Sequence, residues 1–497
     1  MAYIENNPTS LKNSKAYGGV EIVRIAPFNC GTEIEYKMNN SSASSTIAVT
    51  EGKNKQQKAV YTKLVISELE TGKVVYEETK YYCYSDLTYR ATRLLNDVDY
   101  VAEVYAYDRE MNEVGRSVAR LVRCGYFFGK VIDYIHPCDE ALMESGEFVG
   151  SPHIVKLNNG VYVASHDVFC HLNEMGYGSL CKFFISQDYG KNWKYISKID
   201  RCTWGTMFLH NDVLYIVGTY DLNKWDLVLY YSTDCANTWS EPVVLCESEE
   251  EKLYRATPTA YAVHNNRIWI EHGRQDNGRN GIAVISACLD DDLTKAESWT
   301  DSEPLFYNQE WENAAPEWSG NMLEEGNVLV TPGGELKIIE RCNSMRYDAP
   351  VLDPDKVRMY YLTVDKDKPE AAPVFEKAAL FSAAMHKFYI QYDKNEERYL
   401  ALGNRLTTSQ MWQRNVLTLY SSTDLESWKI ERDLINLEDI EWHETAWEAG
   451  YQYPSFMIEG NDIVAVVRTA LNGADNFHNS NAMTFHRFKD INDKYNK

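Results

Sequence analysis

Three times along the chain, a run of aromatic and β-branched residues ends in the same short polar signature. Lys182-Phe-Phe-Ile185 leads into Ser186-Gln-Asp188-Tyr-Gly190-Lys-Asn-Trp193, and Leu227-Val-Leu-Tyr-Tyr231 leads into Ser232-Thr-Asp234-Cys-Ala-Asn-Thr-Trp239. Val416-Leu-Thr-Leu-Tyr420 leads into Ser422-Thr-Asp424-Leu-Glu-Ser-Trp428. These residues make a staple for a strand-to-strand turn. Short polar side chains bond the turn backbone, and a Trp tucks beneath it. Only the first copy has a Gly in mid-turn, where a left-handed backbone is easiest. A chain that repeats strand, turn and Trp is held to a stack of similar sheets. The runs between Gly150 and the C-terminus recur at roughly 45–75 residues, the range of propeller blades. The signature fades to Asp290 and Trp299 in the third unit and to Asp365 in the fourth.

The signature resembles the Asp-box of sialidases, Ser-x-Asp-x-Gly-x-x-Trp. Three copies, each behind a strand, imply a β-propeller of the sialidase superfamily. In that superfamily the box lies on the face opposite the active site, and it also occurs in non-catalytic propellers, so its implied role is structural. The expected fold is all-β: a six-bladed β-propeller over residues 128–497, preceded by a β-sandwich over 1–127. The alternative is seven blades, the seventh made from residues 124–147 and the C-terminal tail.

The sandwich is read from alternation. Val20-Glu-Ile-Val-Arg-Ile25, Thr32-Glu-Ile-Glu-Tyr36, Ala59 to Ile66 and Lys73 to Glu77 are half-buried strands between turn signals. Leu94-Leu-Asn-Asp-Val98-Asp-Tyr100-Val-Ala102-Glu-Val104-Tyr-Ala106 is similar to the tyrosine-corner strand of fibronectin type III domains, with Asn96 in place of the usual Pro and Val98 in place of Thr. Such a domain implies a spacer or accessory role.

A net charge of −23 excludes the basic footprint that nucleic acid needs. It also repels an anionic glycan at long range, so an acidic substrate requires a local cluster of cations. No run approaches the roughly 20 apolar residues of a membrane span, so no membrane partner is expected. The polar N-terminus lacks the layout of a signal peptide, and 11 scattered cysteines suit reduced thiols better than a disulfide framework. The expected location is the cytoplasm, the alternative being a secreted form whose leader has been removed. No His, Asp or Glu spacing makes a metal site, and no cofactor is expected.

If the signatures lie at one end of each sheet, the loops after second strands and before first strands converge at the other. After second strands come Ser165-His166-Asp167, Glu271-His272-Gly-Arg274, Glu340-Arg341, Asn404-Arg405 and Arg468. Arginine pairs bidentately with a carboxylate and stays charged. Sialidases hold the substrate carboxylate with three arginines, so Arg274, Arg341 and Arg405 resemble that triad, with Arg468 as a fourth candidate. Before first strands come Trp204, Glu317-Trp318, His386-Lys387 and Gly450-Tyr-Gln-Tyr453-Pro-Ser. The last is similar to the sialidase segment that carries the nucleophilic Tyr. Tyr453 is then the nucleophile, Glu317 (or Glu324 or Glu325) its carboxylate partner, and Asp167 the general acid. A neutral nucleophile suits an anionic sugar, which would repel a charged one.

Two departures stand out. Sialidases open the propeller with Arg-Ile-Pro, but this one opens Gly150-Ser-Pro152-His153, and Arg24-Ile-Ala-Pro27 belongs to the sandwich. The expected binding face is also rich in histidine: His166, His272, His386 and His478. Histidine with Tyr and Arg is the equipment of β-elimination at a uronic acid. Three functions therefore follow as expectations. The first is a sialidase-like hydrolase that removes a terminal acidic sugar from a glycan. The second is a uronate lyase resembling those that act on rhamnose-capped glucuronate, with His166 among its acid/base candidates. The third is a non-catalytic glycan-binding propeller.

Overall fold

The computed structural model describes residues 14–38, 59–83, 86–139, 147–169, 180–221, 224–308, 310–311, 322–343, 357–440 and 442–491. Alternation in the first part of the chain folds as two antiparallel sheets. In one, Val20–Phe28 pairs with Gly31–Met38 and that with Thr88–Thr92. The other is built on Tyr61–Glu68, flanked by Val74–Tyr81 and Asp99–Tyr107. Asp99–Tyr107 buries every second side chain, so Tyr100, Ala102, Val104 and Ala106 enter one core with Ile22, Ile34 and Leu64. The Tyr100 hydroxyl receives the Leu95 N–H at 2.8 Å, which ties the strand to the turn before it.

From Phe148 onward one unit recurs: an antiparallel meander of four main strands. Among the described residues there are six such sheets in succession. They begin at Phe148–Lys156, Thr203–His210, Lys252–Ala256, Met322–Val330, Tyr389–Asp393 and Gly450–Glu459. The sixth takes its fourth strand from before the first, because Lys130–Tyr134 pairs with Ala482–Phe488. Residues 124–147, which the seven-unit alternative assigns to an extra sheet with the tail, thus contribute a strand to the sixth. First strands adjoin one another around the circuit, and Gly450–Glu459 lies against Phe148–Lys156. Neighbouring sheets share apolar clusters, such as Phe183, Met207 and Ile216 between the first two, and Trp269, Val284 and Leu362 between the third and fourth, while that of the fifth and sixth is continuous with the N-terminal core. Full burial of each such side chain contributes about 1.5–3 kcal/mol.

The Ser-Asp-Trp signatures form the turns between third and fourth strands. In each copy the Ser hydroxyl donates to the Asp carboxylate, at 2.9, 2.8 and 2.9 Å. Asp188 accepts the Asn192 N–H at 2.9 Å, and Asp234 accepts that of Thr238 at 2.9 Å. Trp193 is fully buried, its indole N–H donating to Gly190 O at 3.2 Å. Gly190 is left-handed, and a Cβ there would strike the Phe485 ring. The second copy holds the same conformation at Ala236, φ 65°, which costs an L-residue about 1–2 kcal/mol. The third copy is one residue shorter between Asp and Trp, so Asp424 instead accepts the N–H groups of Glu426 and Ser427.

The N-terminal sheets dock on the ring through buried charge. Arg24 donates to Glu33 and Glu35 at 3.0 and 2.8 Å and to Ile132 O at 3.2 Å, and Glu35 also accepts the Tyr195 N–H at 3.1 Å. All these partners are in place, so Arg24 serves the junction and not a site.

Candidate functional site

The end of the ring opposite the signatures is shaped by irregular first strands. In the first sheet Tyr162 pairs with Ser186 at the signature end, and Val168 with Leu180 at the other. Near that second end the register between first and second strands slips in four sheets. The slips fall between Val149 and Pro152, Thr203 and Thr206, Glu324 and Asn327, and Gln452 and Ser455. In the third sheet pairing is interrupted between Ala256 and Ala262. A bulge leaves residues unpaired and re-aims their side chains. Trp204, Glu325 and Tyr453, all at slips, are left-handed with φ of 54°, 65° and 52°. Strain of this kind costs about 1–3 kcal/mol per residue and gathers at functional positions.

All three line one cavity of about 280 Å³, together with Asp167, Phe169, Arg255, Arg468 and His478. The slips also make room for acid groups. A Cβ on Gly150 would overlap the Asp167 carboxylate, and one on Gly326 would overlap that of Glu340.

Around Tyr453 stand three buried arginines. The guanidinium carbons of Arg468 and Arg414 lie 5.0 and 5.7 Å from its ring centre. Arg341 donates to Glu325 and to Met385 O at 3.2 Å, and lies 3.4 Å from Glu324. Burial pushes the Tyr453 hydroxyl up and Glu325 adds to this, while the three arginines oppose it. Burial lowers Arg414 to about 10, with Arg341 and Arg468 pushing the same way against the opposing Tyr453. Burial likewise lowers Arg468. Among the described residues, the Nε–H groups of Arg414 and Arg468 have no partner.

The carboxyl groups divide by environment. Asp167 is buried, accepting the Ser151 N–H at 2.8 Å and the Thr203 hydroxyl at 3.0 Å, and burial raises its pKa. Glu271 and Glu340 lie behind the cavity wall. Burial, reinforced by neighbouring glutamates, pushes Glu271 up to about 8 and Glu340 well up too. Both shifts favour the neutral form, so the three arginines face chiefly Glu324 and Glu325.

The structure brings Tyr453, Asp167, Trp204, Arg468 and His478 to the cavity and sets Arg341 directly behind it. Other sequence candidates go elsewhere, for reasons of strand geometry. His166 neighbours Asp167 on a strand, so it points to the opposite face, where it stacks on Phe184 and bonds Asp133 at 3.0 Å. His272 is enclosed and bonded to Asp301 at 2.8 Å. Arg341 and Arg468 pair with residues flanking the bulges, Glu324 and Gln452. Arg405 instead follows the last paired residue of its strand, Asn404, and turns onto Asp433. Arg274 lies opposite Tyr254, bound to Asp276 at 3.0 Å.

His386 and Lys387 are buried. Lys387 donates to Pro454 O at 2.8 Å, which supports the bulge that presents Tyr453, and burial lowers it to about 7. Glu317 lies outside the described residues, and Glu325 occupies the place beside Tyr453. Arg414 escaped sequence reading because it sits at the far end of the loop that Arg405 opens. The signal was there in Gln413-Arg414-Asn415, directly before the strand Val416–Ser422. Among the described residues, no group of three or more His, Cys, Asp or Glu is arranged to hold a metal ion.

No family model matches the chain, and no curated protein matches it. Solved structures do resemble it in chain path. The Hadza microbial sialidase Hz136 is 11% identical, with 96% of this chain and 94% of that one covered and a TM-score of 0.49. Trypanosoma rangeli sialidase is 15% identical over 69% of this chain and 55% of its own, with a TM-score of 0.47. A polysaccharide lyase, the PL25 ulvan lyase, is 10% identical over 96% of both chains, with a TM-score of 0.40.

Proposed function

We propose that this protein is a carbohydrate-active enzyme that cleaves a terminal acidic sugar from a glycan, in the manner of a sialidase-like hydrolase. One observation carries the reading: three buried arginines surround a single tyrosine that shares its cavity with Glu325. Arg341, Arg414 and Arg468 hold the substrate carboxylate, a task for which unpaired guanidinium N–H groups are suited. Tyr453 Oη attacks the anomeric carbon as its proton passes to Glu325. The bond to the leaving oxygen breaks, and Asp167, whose pKa burial raises, supplies that oxygen with a proton. Water then attacks the same carbon and the bond from that carbon to Tyr453 Oη breaks, Asp167 takes the water's proton, and Glu325 returns the first proton to the released Tyr453 oxygen.

The same proposal extends to the scaffold. The six sheets are the blades of a propeller over 128–497, and the Ser-Asp-Trp turns are its Asp-boxes. Residues 1–127 are a fibronectin type III-like sandwich, a reading supported by the Tyr100 contact.

A second reading, β-elimination at a uronic acid, is favoured by His478. It lines the cavity with Tyr453, 5.4 Å from Phe169, beneath which Arg468 lies. Incubation with sialylated and uronate-capped oligosaccharides decides between them. Sugar released without ultraviolet absorbance from an unsaturated uronate supports hydrolysis, and release with it supports elimination. Binding without turnover overturns both in favour of a glycan-binding propeller.

A further inference from the structure

The cavity does not end at Arg255. A second hollow of about 130 Å³ shares Arg255, Thr257 and Glu324 with it and runs outward over the third sheet. The Arg255 guanidinium lies 5.7 Å from the Trp204 ring and 5.8 Å from that of Trp225, and is 3.6 Å from Glu324. This contact stands between the two hollows, with Trp204 lining the inner one and Trp225 the outer.

The outer hollow differs in chemistry from the inner one. Trp225, Leu253 and Leu323 give it apolar walls. Its deeper cation, Arg274, is neutralised by Asp276 at 3.0 Å and faced by Asp301 at 3.7 Å. Besides Tyr254, which pairs with Arg274, and the shared Thr257, its remaining polar side chains are two amides, Gln275 donating to Asn280 at 3.1 Å. That bond uses one group of each side chain and leaves the Gln275 carbonyl and the Asn280 N–H₂ for hydroxyls. An aromatic and aliphatic wall opposite neutral amides suits a pyranose with no charge, since the flat face of the sugar packs on the ring and its hydroxyls meet the amides.

We propose that the outer hollow is a second sugar subsite, which takes an uncharged sugar joined to the acidic one held by Arg341, Arg414 and Arg468. It rests on the reading of those arginines as a carboxylate grip. The linkage crosses at Arg255, Thr257 and Glu324, and the smallest complete ligand is a disaccharide with its acidic sugar at the inner end.

Calorimetric titration of the Tyr453→Phe protein separates the two claims. The probes are free N-acetylneuraminate and glucuronate, sialyllactose, and a disaccharide with glucuronate at its non-reducing end. The expected result is that one acidic monosaccharide binds and its oligosaccharide binds about tenfold or more tighter. Trp225→Ala should abolish that gain and leave monosaccharide affinity in place, and Asn280→Ala should reduce it several-fold. Either variant suffices if the other fails to fold. An oligosaccharide no tighter than its monosaccharide, or equal losses on both, overturns the subsite while the arginine grip stands. If no acidic monosaccharide or oligosaccharide binds, the grip fails and the subsite falls with it.

Discussion

The two ends of the ring sheets are built on opposite principles. At the signature end the turns are completed largely by their own residues. Ser186, Asp188 and Trp193 find their partners in their own loop, and the indole is buried where it was placed. At the cavity end nothing is complete locally. Tyr453, Glu325, Asp167 and Arg414 come from four different sheets and their loops. Tyr453 and Glu325 are left-handed, the Nε–H groups of Arg414 and Arg468 lack partners among the described residues, and the carboxyl groups of Glu271 and Glu340 are pushed up. Local satisfaction stabilises, whereas groups gathered from afar and left unsatisfied are held there by the rest of the fold. Substitutions at the two ends should therefore separate activity from stability.

The largest effect is expected at Tyr453. Tyr453→Phe removes the proposed nucleophile and should lower kcat by about 10³-fold or more, with thermal unfolding little changed. His166→Asn, one residue from Asp167 but on the other face, should do the reverse. Breaking its buried contact with Asp133 should cost about 1–3 kcal/mol of stability while the folded fraction keeps its kcat. A specific kcat defect in His166→Asn with unchanged stability would contradict the division of the two faces.

Next come the arginines. Arg414→Ala should raise KM for an acidic substrate and lower kcat/KM by about 10–100-fold, the equivalent of one charge-assisted contact of about 1.5–3 kcal/mol. Arg405→Ala, which frees only Asp433 at a partly exposed site, should change kcat/KM less than about twofold. Similar losses in both variants would return Arg405 to the carboxylate grip.

How far the sequence could be read follows the same division. Strand, turn and Trp recur at short range, so the signature turns and the strand runs were legible from periodicity and residue type, and Tyr100 from the resemblance of its strand to a tyrosine corner. Tyr453, Asp167, Trp204, Arg341, Arg468 and His478, each beside a strand end that the repeat locates, lie together at or just behind one cavity. The candidates that lie away from the cavity share a cause. Arg405 was read as an equivalent of Arg341 because both follow a second strand, yet one residue of offset sends a strand side chain to the other face. The same parity misplaced His166. No periodicity marks a bulge, so the slips that turn Glu325 and Tyr453 into the cavity appear only once strands pair. Arg414 reaches Tyr453 from the end of a long loop, and loop paths are not periodic.

A smaller effect should come from the signature end. Asp188→Ala removes acceptors for the Asn192 backbone and side chain and should cost about 1–2 kcal/mol, read by denaturant unfolding, with kcat per folded molecule unchanged. Loss of activity without loss of stability would mean that the turn communicates with the cavity.

The smallest effect is a slope. Glu271 titrates near 8 in the folded chain, raised chiefly by burial, against about 4.3 when unfolded. Folding therefore favours its protonated form. Its contribution to stability is complete below about pH 4.3 and is lost as pH rises through about 8, by at most about 1.4 kcal/mol per pH unit. Other groups slope the opposite way: His153 is lowered to about 3 and Lys387 to about 7, so each gains stability as pH rises above its folded value. The wild-type curve alone would blur these terms, but the difference between wild type and Glu271→Gln would not. Glutamine keeps the shape of a protonated glutamate and can still accept the Thr257 hydroxyl. The variant should match wild type near pH 4 and become progressively more stable relative to it toward pH 7, with cavity binding of an acidic sugar retained at the lower pH. Parallel curves across that window would mean that Glu271 is ionised when folded. The cavity would then carry one more negative charge, and three arginines would no longer suffice to attract a carboxylate.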